Sequence, residues 1–280
     1  MKIYPIETGN FKLDGGAMFG VVPKSLWQRT NPADSNNMCS WTMRCMLIEK
    51  GDRLMLIDNG MGQKQSEKFF SYYYLFGDAS LEKSLAEHGF HPDDITDVFL
   101  THLHFDHCGG GVKWNKDHTA YKPTFKNAIY WSNKQHWEWA TNPNDREKAS
   151  FLKENILPMQ EFGQLQFVED HNFDWFEIFY AFGHTDAQMI PIIDYQGKKL
   201  AFAADLLASA GHIPLPYVMG YDTRPLLTLE DRKKFYKKAI DEDLFLFMEH
   251  DHDNEVITLK DTEKGARLDE SLKFRELFST

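Results

Sequence analysis

The sequence predicts an α/β protein, because short apolar runs rich in β-branched and aromatic residues alternate with stretches that carry helical signals. Two pairs of these runs are joined by glycine-containing turns, at residues 50–52 and 196–198, which is typical of β-hairpins. Histidines and aspartates follow directly after several of the predicted strands. The pattern therefore indicates sheets with a polar site at their strand ends.

The N-terminal half is predicted to contain an edge strand, a glycine-rich ordered loop, a hairpin, a helix and a buried strand. Ser80 fits the N-cap of the helix and Gly89 fits its stop. His88 and His91, near the helix end, are expected on the surface. The predicted segments are the strand 2–6, the loop 14–23, the hairpin 42–49 with 53–57, the helix 80–88 and the strand 95–100.

The C-terminal half is predicted to alternate strands and helices. Thr228 fits the N-cap of the clearest helix, since acidic residues follow it and lysines come later. An aromatic and helical insertion over about 111–160 is expected to roof the active site, and His118 and His136 within it are taken as structural or exposed. The predicted strands are 128–131, 173–182, 189–195, 199–204 and 244–248, and the predicted helices are 132–140, 145–156, 228–242 and 269–278.

The most informative stretch is Thr101–Gly110, which reads Thr-His-Leu-His-Phe-Asp-His-Cys-Gly-Gly. It lies between a predicted buried strand and a glycine run, so a strand ends there in a loop. Side chains two apart on an extended chain point the same way, so His102 and His104 can bind one metal ion. After the chain turns, Asp106 and His107 can face a second ion. Imidazole and carboxylate suit zinc, with iron, manganese or cobalt as alternatives.

His-x-His-x-Asp-His followed by glycines resembles the metal motif of the metallo-β-lactamase superfamily, and the chain is similar to its N-acyl homoserine lactonase and methyl parathion hydrolase branch. The resemblance implies a four-layer αββα sandwich, with two mixed sheets packed face to face and helices outside. It also implies three downstream ligands, which are matched by His184 in Gly-His-Thr, Asp205 after Ala-Ala and His250 after Phe-Met-Glu. His252 is the alternative to His250, which is preferred because it directly follows the apolar run.

The implied centre holds two divalent ions. His102, His104 and His184 would bind one ion, Asp106, His107 and His250 the other, and Asp205 would bridge them beside a hydroxide. That hydroxide would attack a carbonyl or phosphoryl centre, and Asp106 would also pass the proton to the leaving oxygen. No serine or cysteine nucleophile is required, and Cys108 is expected to be a small apolar filler.

Other residues receive supporting roles from the same resemblance. Asp58, in Asp-Asn-Gly, is expected to hold the metal loop in place, and an ordinary turn aspartate is the alternative. Four residues are expected to line the substrate pocket, with plain core or interface as the alternative for the first three. These are Met18, Phe19, Trp27 and Phe105.

Two positions depart from the pattern of relatives. Many relatives have a second histidine four residues after the Gly-His-Thr histidine, where this chain has Gln188. Lactonase relatives place a substrate-contacting tyrosine three residues after the bridging aspartate, where this chain has Ala208. The second departure weakens an acyl homoserine lactone assignment, although Tyr217 or Tyr221 could take that place.

The expected function is hydrolysis of an ester or lactone, with a phosphotriesterase as the first alternative. A non-catalytic metal-binding protein on the same fold is the second alternative, but such a protein would lack ligands and none is missing here. The formal net charge of −11 disfavours a nucleic-acid partner. No linker divides the 280 residues, so we expect a single domain, cytoplasmic, without a membrane span, acting on a small molecule. A homodimer is left open.

Overall fold

The computed structural model describes residues 1–277, which fall into two compact units. Unit 1 comprises Met1–Asn10 and Met43–Asn172, and unit 2 comprises Phe11–Thr42 and the chain from Phe173 onward. Each unit is therefore discontinuous in sequence. The single domain expected over residues 1–280 stays a prediction.

The first sheet has six strands, and a separate two-stranded ribbon accompanies it. The strands up to residue 167 are β1 (Lys2–Asp14), β2 (Met38–Lys50), β3 (Arg53–Ile57), β4 (Asp97–Phe99), β5 (Val112–Trp114), β6 (Tyr121–Pro123), β7 (Ile129–Ser132) and β8 (Leu165–Phe167). The sheet order is β1-β2-β3-β4-β7-β8, and β5 pairs with β6. The predicted β2–β3 hairpin is confirmed, with Lys50 opposite Arg53, and β3, β4, β7 and β8 run parallel.

The second sheet also has six strands. They are β9 (Phe176–Ala181), β10 (Gln188–Tyr195), β11 (Lys198–Phe202), β12 (Phe245–Phe247), β13 (Val256–Lys260) and β14 (Arg267–Leu272). The sheet order is β14-β13-β12-β11-β10-β9, and only β11 and β12 pair in parallel. The predicted hairpin of β10 and β11 is confirmed, with Tyr195 opposite Lys198.

The described part of the chain contains helices of four to seventeen residues. They are α1 (Gly15–Phe19), α2 (Lys24–Trp27), α3 (Glu67–Ser71), α4 (Leu81–Glu87), α5 (Phe105–Cys108), α6 (Lys134–Thr141), α7 (Lys153–Glu161), α8 (Pro225–Asp241) and α9 (Phe274–Leu277). The predicted cap of α4 is confirmed, because the Ser80 side chain accepts a hydrogen bond from the backbone N–H of Lys83. Among residues 1–277 no helix is long and apolar enough to cross a membrane.

The predicted helix 145–156 is wrong over residues 145–152, because α7 begins only at Lys153. The side chain of Asn144 accepts hydrogen bonds from the backbone N–H groups of Arg146 and Glu147. Asparagine commonly competes with the helix in this way by bonding to nearby backbone groups. A turn therefore forms at these residues, and it buries the side chain of Glu147.

Three other predicted segments also need correction. The predicted loop 14–23 contains helix α1. The side chain of Asp14 caps this helix by accepting a hydrogen bond from the backbone N–H of Ala17. Helix α8 begins at Pro225 instead of being capped by Thr228, because the fixed φ of proline suits the first helical turn. The predicted helix 269–278 is strand β14 up to Leu272 and is confirmed as helix over Phe274–Leu277, and residue 278 lies outside the described residues.

The core of unit 1 explains why its strands lie where they do. Val98 on β4 and Leu56 on β3 are fully buried, and they pack with apolar side chains from β2 and α7. Strands buried on both faces read as continuous apolar runs. The ends of β3 and β4 therefore lead from a rigid core directly into the polar segments that follow them.

Candidate metal centre

The carboxylate of Asp58 is hydrogen-bonded to the histidine-rich loop of unit 1. It follows β3, is fully buried and has a φ of 56°. Its carboxylate accepts hydrogen bonds from the backbone N–H of Thr101 at 2.8 Å and from the Thr101 hydroxyl at 2.7 Å. The same carboxylate lies 3.0 Å from Nδ1 of His107. This contact requires the proton of His107 on Nδ1, so that Nε2 keeps the lone pair that a metal ion needs.

His102 and His104 converge within the same loop. Both side chains are buried, and Nε2 of His102 lies 3.0 Å from Nδ1 of His104. Two nitrogens bound to one tetrahedral zinc lie about 3.3 Å apart, given Zn–N distances of about 2.0–2.1 Å. Nδ1 of His102 lies 3.1 Å from the Thr101 hydroxyl, which is itself bonded to Asp58. Asp58 therefore orients His102 through Thr101 as well as His107 directly.

Asp106 and His107 form the remaining part of the loop in unit 1. They lie in the short helix α5, and Oδ1 of Asp106 is 3.8 Å from Nε2 of His107. His107 is fully buried, whereas the Asp106 side chain is 13% exposed. The pair thus offers one buried nitrogen and one carboxylate that solvent reaches.

The glycines after the motif allow a close backbone approach. A Cβ at Gly109 would lie 2.2 Å from the carbonyl oxygen of Met61, and one at Gly110 would lie 2.1 Å from that of Asn59. Backbone atoms cannot give way as a flexible side chain does. The metal loop therefore lies directly against the segment that follows β3, where Asn59 donates its N–H to the carbonyl of His107.

In unit 2, Asp205 lies between the two predicted histidines. Its Oδ2 is 3.0 Å from Nε2 of His184, and its Oδ1 is 2.9 Å from Nε2 of His250. One carboxylate oxygen thus faces each imidazole. This arrangement would suit a carboxylate shared by two cations, because each oxygen could serve a different ion.

The outer nitrogens of these two histidines also have acceptors. Nδ1 of His184 lies 2.9 Å from Asp222, and Nδ1 of His250 lies 2.7 Å from the carbonyl oxygen of Thr42. Burial lowers the pKa of His184, but the carboxylates of Asp205 and Asp222 outweigh burial and raise it to about 10. Buried negative charge is therefore concentrated where a cation would bind.

The Gly-His-Thr loop is held by helix α8. Asp231 accepts hydrogen bonds from the backbone N–H groups of Phe182 at 2.6 Å and Gly183 at 2.8 Å. A Cβ at Gly183 would lie 2.2 Å from the backbone nitrogen of Thr228, so only glycine fits against the helix. Neither Asp222 nor Asp231 is recognisable from the sequence, because neither lies at a characteristic spacing from a proposed ligand.

His250 and its alternative His252 differ in burial. His250 is buried and faces Asp205, whereas the His252 side chain is 45% exposed and lies beside Asp253. His250 therefore has the burial and the carboxylate contact that a ligand would need, and its assignment over His252 stays a prediction.

The predicted pocket residues have different environments. In unit 1, Phe105 packs on Phe69 and Tyr73, with ring centroids 5.3 and 4.8 Å away. In unit 2, Phe19 is stacked between Trp27 and His212, at 5.2 and 4.2 Å. Met18, Phe19 and Trp27 are all buried, which is what the core interpretation predicts. Their role as pocket residues stays a prediction.

The fold and the site together define a metal-binding α/β protein. In each unit, histidine and aspartate side chains belong to groups that could hold a metal ion. A family model of the metallo-β-lactamase superfamily matches residues 44–255. The chain therefore belongs to the metallo-β-lactamase superfamily, and the fold class and family predicted from the sequence are confirmed.

Among curated proteins, the N-acyl homoserine lactonase AiiA of Bacillus thuringiensis subsp. kurstaki is 22% identical over 272 residues, covering 91% of this chain and 94% of that protein. A probable metal-dependent hydrolase from Staphylococcus aureus has a TM-score of 0.85 at 26% identity, covering 97% of this chain and 98% of that one. AidC, a dizinc quorum-quenching lactonase solved with its product, has a TM-score of 0.77 at 24% identity, covering 97% and 95%.

Proposed function

We propose that this protein is a dinuclear metal-dependent hydrolase that cleaves an ester or lactone bond. One ion would be held by His102, His104 and His184, the other by Asp106, His107 and His250, with Asp205 shared. The observation that carries the proposal is the geometry of Asp205, whose two oxygens face two different imidazole nitrogens. The fold does not need two histidines to hold one buried carboxylate in place. Two cations, however, could each use one of its oxygens.

The donor set of five imidazoles and two carboxylates fits zinc, since imidazole is a borderline ligand and zinc also accepts carboxylate oxygens. When bound, two such ions supply an activated water at neutral pH and polarise the oxygen of the bond to be broken. The residues of the chain do the rest. Asp58 and Asp222 fix the orientations of His107 and His184. Asp106, which is the partly exposed carboxylate of the loop, would carry a proton to the leaving oxygen.

The substrate class is supported by two features. The relatives named above are lactonases or a probable hydrolase, and AidC was solved with the ring-opened product N-hexanoyl-L-homoserine. In this chain, Phe105 adjoins the proposed proton carrier in sequence and packs with Phe69 and Tyr73, which gives an apolar surface beside the loop. A neutral substrate with an apolar part would suit that surface.

A phosphotriesterase remains the second candidate, because Ala208 weakens the assignment to lactones. This alanine is fully buried, and it stands where lactonase relatives have the tyrosine that contacts substrate. A small apolar side chain cannot donate a hydrogen bond to a lactone carbonyl.

Proton release by zinc-loaded protein would test the proposal, with lactones, aryl esters and phosphotriesters compared with and without chelator. We expect chelator-sensitive turnover that is fastest on a lactone or ester. Turnover fastest on phosphotriesters would support the second candidate instead. If two ions bind and no substrate class is turned over, the hydrolase proposal fails.

The two histidines near residue 250 provide a matched pair of variants. His250→Ala should lose one ion and the turnover, because it removes the nitrogen that faces Asp205. His252→Ala should keep both, because that side chain lies on the surface. Loss of metal in His252→Ala with normal binding in His250→Ala would contradict the ligand assignment.

A further inference from the structure

A segment of unit 1 contacts the His-x-His part of the metal loop through hydrogen bonds and ring packing. We call residues 133–151 the clamp segment. His136 accepts a hydrogen bond at Nε2 from the backbone N–H of Leu103 at 2.8 Å, and the carbonyl of Ser150 accepts one from the N–H of Phe105 at 3.0 Å. These two contacts fix the backbone on either side of His104. The insertion that was predicted to roof the site therefore also holds the metal loop.

The clamp segment also contacts the imidazole of His104 itself. Oε1 of Glu147 lies 3.4 Å from its Nε2, and the ring of Phe151 lies 4.8 Å from the His104 ring. The Glu147 side chain is only 3% exposed. A buried carboxylate is costly unless it is hydrogen-bonded and paired, so this placement needs an explanation.

The other oxygen of Glu147 is fully engaged within the clamp segment. Oε2 accepts hydrogen bonds from Nε1 of Trp139 at 2.8 Å and from the Asn144 amide at 2.7 Å. These two donors orient the carboxylate, because Trp139 belongs to α6 and Asn144 to the turn that follows it. Oε1 is thereby directed toward His104.

The two nitrogens of His104 consequently face different partners. Nδ1 faces Nε2 of His102, and Nε2 faces the Glu147 carboxylate. A carboxylate accepts only from an N–H, so it places the proton on Nε2 and leaves the lone pair on Nδ1. Nδ1 is the nitrogen that converges with His102.

We propose that Glu147 is a positioning residue that fixes the tautomer and orientation of His104 for one of the two ions, and that the clamp segment thereby couples the insertion to metal binding. This inference rests on the proposed function for the assignment of His104 as a ligand. It assigns a role to a carboxylate that belongs to no ligand motif. His136 acts alongside it by holding the Leu103 backbone, with its own position set by the N-cap bond from its N–H to Asn133.

Stepwise zinc affinity, measured by competition with a chromophoric chelator, tests the proposal without any substrate. Glu147→Gln is the main variant, since its amide can keep the bonds to Trp139 and Asn144 only by turning its NH₂ toward His104. That orientation forces the proton of His104 onto Nδ1. We expect a loss of about 10–100-fold in affinity for one ion, with the other unchanged. Glu138→Gln, an exposed carboxylate on α6, is the matched control and should bind both ions normally.

Two further readouts separate positioning from a merely structural role. Imidazole ¹⁵N spectra of the metal-free protein should show His104 protonated on Nε2 in the wild type and on Nδ1 in Glu147→Gln. The cobalt-substituted wild type and variant should differ in their d–d absorption, because one ligand changes its bond to the ion. Unfolding of the metal-free Glu147→Gln should stay close to that of the wild type.

Wild-type affinity for both ions in Glu147→Gln, or a His104 proton on Nδ1 in the wild type, would overturn the proposal. Equal losses for both ions would also overturn it, because Glu147 faces only one ligand. The outcome is independent of turnover. A protein that binds two ions, shows the Glu147 effect and hydrolyses nothing would sustain this inference while the proposed function fails.

Discussion

Replacing Asp58 by asparagine should weaken the binding of both ions while leaving the metal-free protein folded. The carboxylate is fully buried and contacts three donors, namely the N–H and hydroxyl of Thr101 and Nδ1 of His107. Asparagine tolerates the positive φ of this position and keeps an oxygen for the Thr101 N–H. Its NH₂ group would then face the hydroxyl of Thr101 and Nδ1 of His107, which both donate to the carboxylate in the wild type.

The consequence follows from the position of each proton. His107 would have to accept at Nδ1 and carry its proton on Nε2. The Thr101 hydroxyl would turn, accept from the amide and donate to Nδ1 of His102, which gives that histidine the same unfavourable tautomer. Losing such outer contacts to a ligand typically costs 10–100-fold in metal affinity, or about 1.4–2.8 kcal/mol. Since every group keeps a partner, we expect the metal-free protein to change by no more than about 1 kcal/mol.

Asp58→Ala would be less informative, because it leaves three buried donors without an acceptor. At about 1–3 kcal/mol each, the loss is comparable to the whole stability of an ordinary domain. The useful assay is therefore stepwise zinc competition on Asp58→Asn, beside urea unfolding of the metal-free protein. Asp52→Asn, in the exposed turn of the same hairpin, provides the control. If Asp58→Asn binds both ions as tightly as the wild type, Asp58 does not set these tautomers and the reasoning is wrong.

Two further predictions concern unit 2. Burial and, to a smaller extent, the neighbouring Arg232 lower the pKa of His212 to about 4, so the unfolded chain binds more protons between that pH and about 6.5. The stability that neutral His212 contributes is therefore complete above pH 6.5 and is lost as the pH falls toward 4, at most about 3 kcal/mol. The free energy of urea unfolding should fall from pH 7 to pH 4.5 in the wild type, and it should fall less in His212→Phe. Equal falls in the two proteins would refute the role of His212. Asp231→Ala should cost about 2–5 kcal/mol, because the N–H groups of Phe182 and Gly183 lose a shared acceptor, whereas Asp231→Asn should cost far less. Denaturant midpoints compare the two, and equal losses would show that the hydrogen bonds are not responsible.

The proposed ligands could be chosen from the sequence because most of them are local. His102, His104, Asp106 and His107 lie within six positions and follow a buried strand. Chain geometry alone then brings them together. The strands were also recognisable, since buried strands are apolar throughout and their glycine turns mark the hairpins.

The distant groups that contact the proposed ligands could not be found in this way. Asp58 is 49 residues from His107, Glu147 is 43 residues from His104 and Asp222 is 38 residues from His184. The acceptor for His250 is a backbone carbonyl 208 residues away, which leaves no trace in the identity of a side chain. Only Asp58 was expected, and that expectation came from a family resemblance instead of a spacing rule.

The predicted start of the helix at residue 145 was wrong for a related reason. Residues 145–152 have a helical composition, but Asn144 turns the chain and Glu147 is drawn inward to Trp139 and His104. A tertiary contact of a single carboxylate here outweighs local propensity, which is worth only a few tenths of a kcal/mol per residue. The deviation from the predicted helix therefore marks the same residue to which the geometry assigns a positioning role. A departure from local preference that buries a charge is expected where a site depends on it.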